Sequence, residues 1–278
     1  MNSRTTFGLV IGLLALSGPA LAQDKYTVAL DGTFAPHAMP SLSGGVEGFN
    51  VDLANTIGER LGVEMDIVAT QFSGILPGLA AGTYDFVVAP TTITTERAEN
   101  VLFSEGYLNT DFQFVVKAGA DDVSNLDAMK GKIIAVNKGS VYDSWAREKA
   151  EEIGWTVESY GTNSDAVQAV VSGRAFANVA GNTVSAWAVK QNRAIELSYL
   201  FTTGLVWGMP FRKGDEALRN KVETVIECLK IDGTMASLSL KWFGTSPAEG
   251  SAAITPRPGF GEPEFAGYVM DDHTPSCG

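Results

Sequence analysis

Five stretches of sequence decide the fold of this chain: YTVAL (26–30), VDLANTIGERL (51–61), EMDIV (64–68), ILPGLAA (75–81) and YDFVVA (84–89). The second stretch places Val51, Ala54 and Ile57 at the spacing of an amphipathic helix. The fourth is a short helix that Gly82 stops, and the other three are apolar runs of strand length. Strand, helix, strand, helix and strand in this order predict right-handed βαβ units and a parallel sheet.

A second unit with the same order of elements follows further along the chain. Its predicted strands are 132–136, 156–159 and 175–180, and its predicted helices are 141–153, 164–172 and 184–191. Extended passages at 103–114 and 200–211 precede and follow this unit. A helix at 216–230 packs most simply back on the first unit, so the chain crosses twice between two lobes. Two crossings form a hinge about which the lobes close around a ligand.

The sequence therefore predicts an α/β fold with two lobes joined by a two-stranded hinge. Lobe 1 comprises 23–110 and 205–246, and lobe 2 comprises 111–204. Residues 247–278 form a C-terminal extension in which Pro, Gly, Ser and acidic residues predominate. We expect this extension to be loop-like and to wrap over the surface.

The first 22 residues have the pattern of a cleaved secretory signal peptide. Arg4 supplies the positive charge, 7–16 (FGLVIGLLAL) the apolar core, and 20–22 (ALA) the cleavage site. The alternative is a membrane anchor, but the apolar run is shorter than the ~20 residues that a spanning helix needs. No cysteine lies near the cleavage site, which disfavours a lipoprotein. These features predict a protein that is free in the periplasm.

The charge and the cysteines exclude several classes of function. The chain has 32 acidic and 20 basic residues, a net charge of −12, which disfavours nucleic acid and anionic membranes as partners. Its two cysteines, Cys228 and Cys277, have no metal-site or redox spacing, so no metal or other cofactor is predicted. In an oxidising compartment they are expected to form one disulfide. The alternative is two free thiols, one of them buried.

Four motifs carry a resemblance to a known family. They are GFNVDL (48–53), FSGILPGL (72–79), TITTER (92–97) followed by FSEGY (103–107), and KWFG (241–244). Their order and separation, over about 26–246, resemble those of the bacterial extracellular solute-binding proteins of family 3, which include glutamine- and histidine-binding proteins. The resemblance implies the type II periplasmic binding fold. It also implies a monomer that carries an amino acid or related small carboxylate to an ABC permease in the inner membrane.

Arg97 is the main candidate for binding the carboxylate of the ligand. A guanidinium presents two parallel donors that match a carboxylate and keeps its charge. Arg97 follows a strand end, where α/β sheets place ligands, and the matching arginine of the family grips the carboxylate. The alternative is a surface ion pair with Glu96 or Glu99.

The first lobe offers further candidates around Arg97. The resemblance implies that Thr92 supports the carboxylate or an amino group through its hydroxyl and N–H. Pro90 lacks an N–H but its carbonyl oxygen still accepts hydrogen bonds. Matching positions in the family make Asp31 a polar contact to the ligand side chain. They also make Phe34 an aromatic wall beside it.

The remaining candidates close the predicted site. The resemblance implies an aromatic wall at Phe72 as well, and packing in the core is the alternative for both Phe34 and Phe72. Trp207, on the second crossing, is another candidate wall. Ser140 lies at a strand-to-helix junction in the second lobe, where helix N–H groups favour an anion. The resemblance implies that this turn clamps the carboxylate from the opposite lobe. The alternative for Ser140 is a plain N-cap, and both can hold.

The sequence departs from the family at one position of the expected site. Family members that bind α-amino acids place an Asp after the strand that matches 175–180, where it pairs with the α-ammonium. Here the aligned residue is Gly181, followed by Asn182. Asn182 can accept a hydrogen bond but cannot neutralise a cation, and a buried unpaired ammonium is costly. The ligand therefore lacks an α-ammonium, places its cation elsewhere, or uses Asp31.

Two other classes of function remain open. Cyclohexadienyl dehydratases resemble this family, and an enzyme of that kind needs an acid or base in the cleft. The chain offers His37, expected on the surface, His273 in the extension, and Glu47 and Asp143. A sensor subunit or a helper of a periplasmic dehydrogenase is the third possibility. The favoured prediction is a binding protein that is not an enzyme.

Overall fold

A computed structural model describes residues 24–120 and 123–277. The predicted signal peptide lies outside the described residues. The strands are β1 Lys25–Leu30, β2 Met39–Pro40, β3 Val46–Glu47, β4 Glu64–Ala69, β5 Phe86–Val87, β6 Thr91–Thr92, β7 Leu102–Phe103, β8 Leu108–Lys117, β9 Ile133–Asn137, β10 Thr156–Tyr160, β11 Ala177–Gly181, β12 Ile195–Gly208 and β13 Pro210–Phe211. The α-helices are α1 Phe49–Leu61, α2 Phe72–Ala80, α3 Thr95–Ala98, α4 Val141–Ile153, α5 Asn163–Val171, α6 Asn182–Gln191, α7 Glu216–Ile231 and α8 Thr234–Phe243.

The first sheet has the strand order β4-β1-β5-β13-β7. β1 is parallel to both β4 and β5, as the predicted βαβ units require. β13 is antiparallel to β5 and β7 because it arrives from the second crossing in the opposite direction. The sheet is thus mixed, where the sequence predicted a parallel one, and the added strand comes from the hinge passage.

The second sheet has the order β10-β9-β11-β8-β12-β6. β9 is parallel to β10 and β11, whereas β8 is antiparallel to β11 and β12. β8 and β12 contain 10 and 14 residues and overlap the two extended passages that the sequence indicated, although their bounds differ from the predicted ones. β12 also pairs with β6, through Trp207 and Thr92, so the second sheet reaches into the first lobe. The two-lobed α/β fold predicted from the sequence is confirmed.

The helices cover the sheets and bring the chain back to the first lobe. α1 buries Phe49, Leu53 and Ile57 on one face. Both α7 and α8 pack against α1, as expected for a helix that returns after the second crossing. Within the described ranges, 24–120 and 123–277, no helix is long and apolar enough to cross a membrane.

The C-terminal extension is held to the first lobe by a disulfide and by hydrogen bonds. Cys228 of α7 is joined to Cys277, which confirms the predicted disulfide. The N–H of Gly106, where the chain approaches the hinge, donates to the Glu262 carboxylate at 2.7 Å. The extension consists mainly of turns and loops, as the sequence predicted.

A buried ion pair lies beneath this extension. Lys230 Nζ is 2.6 Å from Glu105 Oε1, and neither side chain is exposed to solvent. Lys230 also donates to the carbonyl oxygen of Gly106 at 2.7 Å. Because each charge is removed from water, each depends on the other for its stabilisation.

Candidate ligand-binding site

A small cavity lies between the two lobes. Eight of the nine ligand-binding residues predicted from the sequence line it: Asp31, Phe34, Phe72, Pro90, Thr92, Arg97, Ser140 and Trp207. Four further residues complete the lining: Ala89, Asn137, Val141 and Tyr142. Six helices and strands and three connecting turns supply these residues, so only the tertiary fold brings them together.

Arg97 extends from the short helix α3 into this cavity. The Thr94 hydroxyl caps the helix by accepting from the Arg97 N–H at 3.3 Å. The guanidinium donates to the carbonyl oxygens of Thr92, at 3.0 Å, and Gly139, at 3.4 Å, and it lies over the Phe72 ring, 5.6 Å from its centroid. Gly139 belongs to the second lobe, so the Arg97 side chain reaches from the first lobe to the second.

The charge of Arg97 is available to an anion. Among the described residues, no ion pair joins Arg97 to Glu96, Glu99 or another carboxylate. Burial lowers the pKa of Arg97 to about 10, so the side chain remains a cation at neutral pH. A desolvated cation without a carboxylate partner favours the binding of an anion. The surface ion pair considered from the sequence is not the arrangement found.

The turn after β9 faces Arg97 from the second lobe. Ser140 is the N-cap of the 13-residue helix α4, and its Oγ accepts from the Asp143 N–H at 3.2 Å. The same residue lines the cavity, so the capping role and a role towards a ligand are compatible. The positive end of the α4 dipole therefore points at the same space as the guanidinium.

Asp31 supplies a carboxylate to the cavity lining. Its Oδ1 accepts from the N–H and the hydroxyl of Thr33, at 2.9 and 2.7 Å. Its Oδ2 accepts from Asn137 Nδ2 of the second lobe at 3.1 Å. Asp31 and Asn137 are each 2% exposed, so the two lobes meet here through a hydrogen bond away from water.

Phe34 and Trp207 form an aromatic wall of the cavity. Trp207 is 1% exposed, and its Nε1–H donates to the Thr92 hydroxyl at 3.1 Å. The ring of Phe34 meets the Trp207 ring edge to face, with 6.4 Å between centroids. Pro90 and Thr92 line the cavity below this wall. The arrangement combines a fixed cation, a carboxylate and apolar faces, which is the typical make-up of a small-molecule site.

The sequence of this site can be compared with those of known proteins. The sequence model of the bacterial extracellular solute-binding proteins, family 3, matches residues 26–245. That range contains every residue that lines the cavity. The chain belongs to this family.

Relatives of this solute-binding protein are themselves binding proteins. The L-cystine-binding protein TcyJ of Escherichia coli (strain K12) is 31% identical over 223 residues, which cover 78% of this chain and 82% of that protein. The structure of an ancestral arginine-binding protein bound to arginine has 34% identity and a TM-score of 0.76, covering 80% of this chain and 99% of that one. The resemblance and the type II periplasmic binding fold are confirmed.

A further structural neighbour of the solute-binding protein connects binding with catalysis. It is an ancestral amino acid-binding protein described as a precursor of cyclohexadienyl dehydratase. Its identity is 32%, its TM-score is 0.72, and the match covers 79% of this chain and 95% of that one. The scaffold is therefore one on which both activities have to be considered.

Asn182 is the predicted site residue that the cavity does not contain. It opens α6 directly after Gly181 and lines two grooves on another side of the lobe interface. Gly181 lies closer to the cavity, because a Cβ atom on it would be 2.9 Å from the Tyr142 hydroxyl. The aligned strand end therefore lies beside the cavity at Gly181, whereas Asn182 lines the two grooves and not the cavity.

His37 was expected on the surface, and this expectation is wrong. It is fully buried, because Gly48, at φ 149°, lets α1 begin against the loop that carries it. A Cβ on Gly48 would lie 2.3 Å from the His37 carbonyl oxygen. Its ring lies 4.8 Å from that of Trp207, centroid to centroid. His37 therefore supports the aromatic wall of the cavity from behind.

The hydrogen bonds of His37 define its protonation and join the lobes. The Asn50 amide donates to the Val88 carbonyl oxygen and the Tyr107 hydroxyl, so its Oδ1 accepts from His37 Nδ1 at 2.9 Å. His37 Nε2 therefore accepts from the Thr183 hydroxyl of the second lobe at 2.8 Å. Burial lowers the pKa of His37 to about 4, in agreement with a neutral ring.

Asn137 and Tyr142 are lining residues that sequence reasoning missed. Asn137 ends β9, and the rule that ligands bind beyond the carboxyl ends of strands could have identified it. Tyr142 is the second residue of α4 and carries no local signal of its role. Within the described part of the chain, no group of three or more His, Cys, Asp or Glu residues is arranged to hold a metal ion.

Proposed function

We propose that this protein is the periplasmic binding component of an ABC importer and that it captures a small carboxylate between its lobes. The observation that carries the proposal is the Arg97 guanidinium, which lines the interlobe cavity without a carboxylate partner among the described residues. Such a cation costs free energy to bury, and an anionic ligand offsets that cost.

Capture uses donors from both lobes. Arg97 presents two parallel N–H groups to the two oxygens of the carboxylate. The N-terminus of α4, capped by Ser140, adds partial positive charge from the second lobe. Because these groups lie together only when the lobes are close, the ligand stabilises the closed arrangement over the open one. Phe34, Phe72 and Trp207 pack against the apolar part of the ligand.

The proposal also includes a hinge motion between the lobes and a membrane partner. The lobes, 23–110 with 205–246 and 111–204, rotate about β8 and β12 as two bodies. The protein acts as a monomer in the periplasm, and its closed form docks on the permease of the inner membrane. The membership of family 3 and the predicted signal peptide at 1–22 support this location.

Arg97 provides the decisive experiment. A thermal-shift screen over amino acids, betaines, opines, sulfonates and simple organic acids identifies the ligand, since a ligand at 100 times its Kd adds about 2.7 kcal/mol of stability. Calorimetry then compares the protein with Arg97→Ala and with Arg193→Ala, an exposed arginine of the second lobe. We expect Arg97→Ala to weaken binding by roughly 30-fold to 1,000-fold. Unchanged affinity in Arg97→Ala refutes the assignment.

An enzyme on the same scaffold is the second candidate function. The dehydratase precursor among its structural neighbours favours it, as does the carboxylate of Asp31 in the cavity. Three donors already hold that carboxylate, which favours positioning over proton transfer. Incubation with prearomatic cyclohexadienyl acids tests the alternative. Growth of aromatic absorbance that Asp31→Asn abolishes establishes an enzyme, and a stable spectrum argues against this dehydratase activity.

A further inference from the structure

The protein's own rings fill the space beside Gly181 at the edge of the cavity. A Cβ on Gly181 would lie 2.7 Å from Trp207 Cζ2 and 2.9 Å from Cη2. The backbone there has φ −61° and ψ 145°, which any residue can adopt. Glycine is thus required by the lack of space and not by the backbone. An acidic side chain has no room at this strand end.

The indole that occupies this space is firmly held. Its N–H donates to Thr92, its face meets His37 at 84°, and Trp207 as a whole is 1% exposed. The Thr92 hydroxyl is therefore already an acceptor for the indole. A cation on the α-carbon of a ligand held by Arg97 would meet aromatic rings and no anionic partner at this strand end.

The partner for a ligand cation lies at a different place. Among the described residues that line the cavity, Arg97 is the one cation and Asp31 the one carboxylate. The Oδ1 atom of Asn137, next to Asp31, is a buried acceptor for which the described residues offer no hydrogen-bond donor. Asp31 and Asn137 together present carboxylate and amide oxygens, the acceptors that an ammonium or guanidinium group requires.

The two charged ends are separated along the turn that follows β9. Asp31 bonds to Asn137, whereas Arg97 bonds to Gly139, two residues later. The Ser140 N–H donates to the Asn137 carbonyl oxygen at 3.2 Å, so these residues form a tight turn, and the two contacts lie at different points of that turn. The aromatic rings of Phe34 and Trp207 line the cavity together with Asp31 and Arg97, and they offer apolar surface to a methylene chain.

We propose that the ligand is a carboxylic acid whose cation lies at the far end of a methylene chain, without an ammonium group on the α-carbon. Its class is that of the ω-amino and ω-guanidino acids. Arg97 holds the carboxylate, and Asp31 with Asn137 holds the distal cation. This inference rests on the proposed function and names the ligand of that same site.

The test uses pairs of compounds that differ by the α-ammonium alone. The pairs are 4-aminobutanoate with 2,4-diaminobutanoate, 5-aminopentanoate with ornithine, 6-aminohexanoate with lysine, and 5-guanidinopentanoate with arginine. Calorimetry gives the Kd of each for the full chain. In the pair that binds most tightly, we expect the compound without the α-ammonium to bind at least tenfold more tightly, because an unpaired buried charge is costly. Equal or tighter binding of the α-ammonium compound overturns the proposal.

A variant separates the distal cation site from the rest. Asp31→Asn keeps the shape of the side chain. We expect it to raise the Kd of the most tightly bound ω-cationic ligand by roughly 10-fold to 100-fold. Asp66→Asn, which removes an exposed carboxylate paired with Lys25, is the matched control and leaves the Kd unchanged. An unchanged Kd in Asp31→Asn overturns the assignment of the distal site.

The outcomes distinguish the ligand class from the function. If no ω-cationic acid binds but another carboxylate does, and Arg97→Ala abolishes that binding, the ligand class is wrong and the proposed function stands. If no carboxylate binds at all, both are wrong. If an ω-cationic acid binds to Arg97→Ala as tightly as to the wild type, Arg97 does not hold its carboxylate. Both the orientation of the ligand and the proposed function are then wrong.

Discussion

Lowering the pH tests the burial of His37 directly. The chain contains two histidines, His37 and His273, and their environments shift the pKa in opposite directions. Burial lowers the pKa of His37 to about 4. Burial also acts to lower the pKa of His273, but its hydrogen bond and charge interaction with Glu227 raise the value above that of a free histidine.

The sign and the size of the stability change follow from these shifts. An unfolded chain binds a proton at His37 with a pKa of about 6.5, whereas the folded protein does so at about 4. The folded state thus keeps its full stability above pH 6.5 and loses it as the pH falls towards 4. At pH 5 the loss from this one group is about 2 kcal/mol. His273, already protonated in both states at pH 5, adds little slope below pH 6.

The measurement combines NMR with urea unfolding. Two imidazole signals are expected, and the one lost in the His37→Gln variant should titrate near pH 4. The free energy of unfolding of the wild type should fall between pH 6.5 and pH 5 by about 1.6 kcal/mol more than that of His37→Gln. The His273→Gln variant is the matched control and should keep the wild-type slope below pH 6. A His37 signal that titrates near 6.5, or equal slopes in wild type and His37→Gln, refutes the buried neutral ring.

Three further changes test the packing around the site and the extension, each by the free energy of unfolding in urea. Gly181→Ala should destabilise the protein by about 1–3 kcal/mol, because the Trp207 ring must move, and an unchanged stability contradicts the lack of space. Cys277→Ser should cost about 4 kcal/mol for a sequence separation of 49 residues, and a reducing agent should then have no further effect. Lys230→Met should lower the free energy of unfolding by about 3–5 kcal/mol, and adding Glu105→Gln should restore most of this lost stability. Equal stability of the single and the double variant argues against the ion pair.

The sequence determined the order of the elements, the two lobes and the place of Arg97. Periodicity predicts these features because neighbouring residues decide whether a segment forms a helix or a strand. The motif that carries Arg97 lies at a strand end, so its position followed from the same pattern. The helix Val141–Ile153 was predicted with the bounds that the structure has. The disulfide also followed, because two cysteines allow one pairing.

Only the tertiary structure decided what surrounds Arg97. His37 looked like a loop residue, but Gly48 brings α1 against that loop and buries it. Asn137 and Gly181 lie at strand ends, but the sequence around them does not show which residues they contact. Their roles depend on Asp31, 106 residues away from Asn137, and on Trp207, which reaches Gly181 across the hinge. Contacts between residues so far apart in the chain leave no local pattern, so the shape of the cavity, and with it the choice of ligand, is a property of the folded protein.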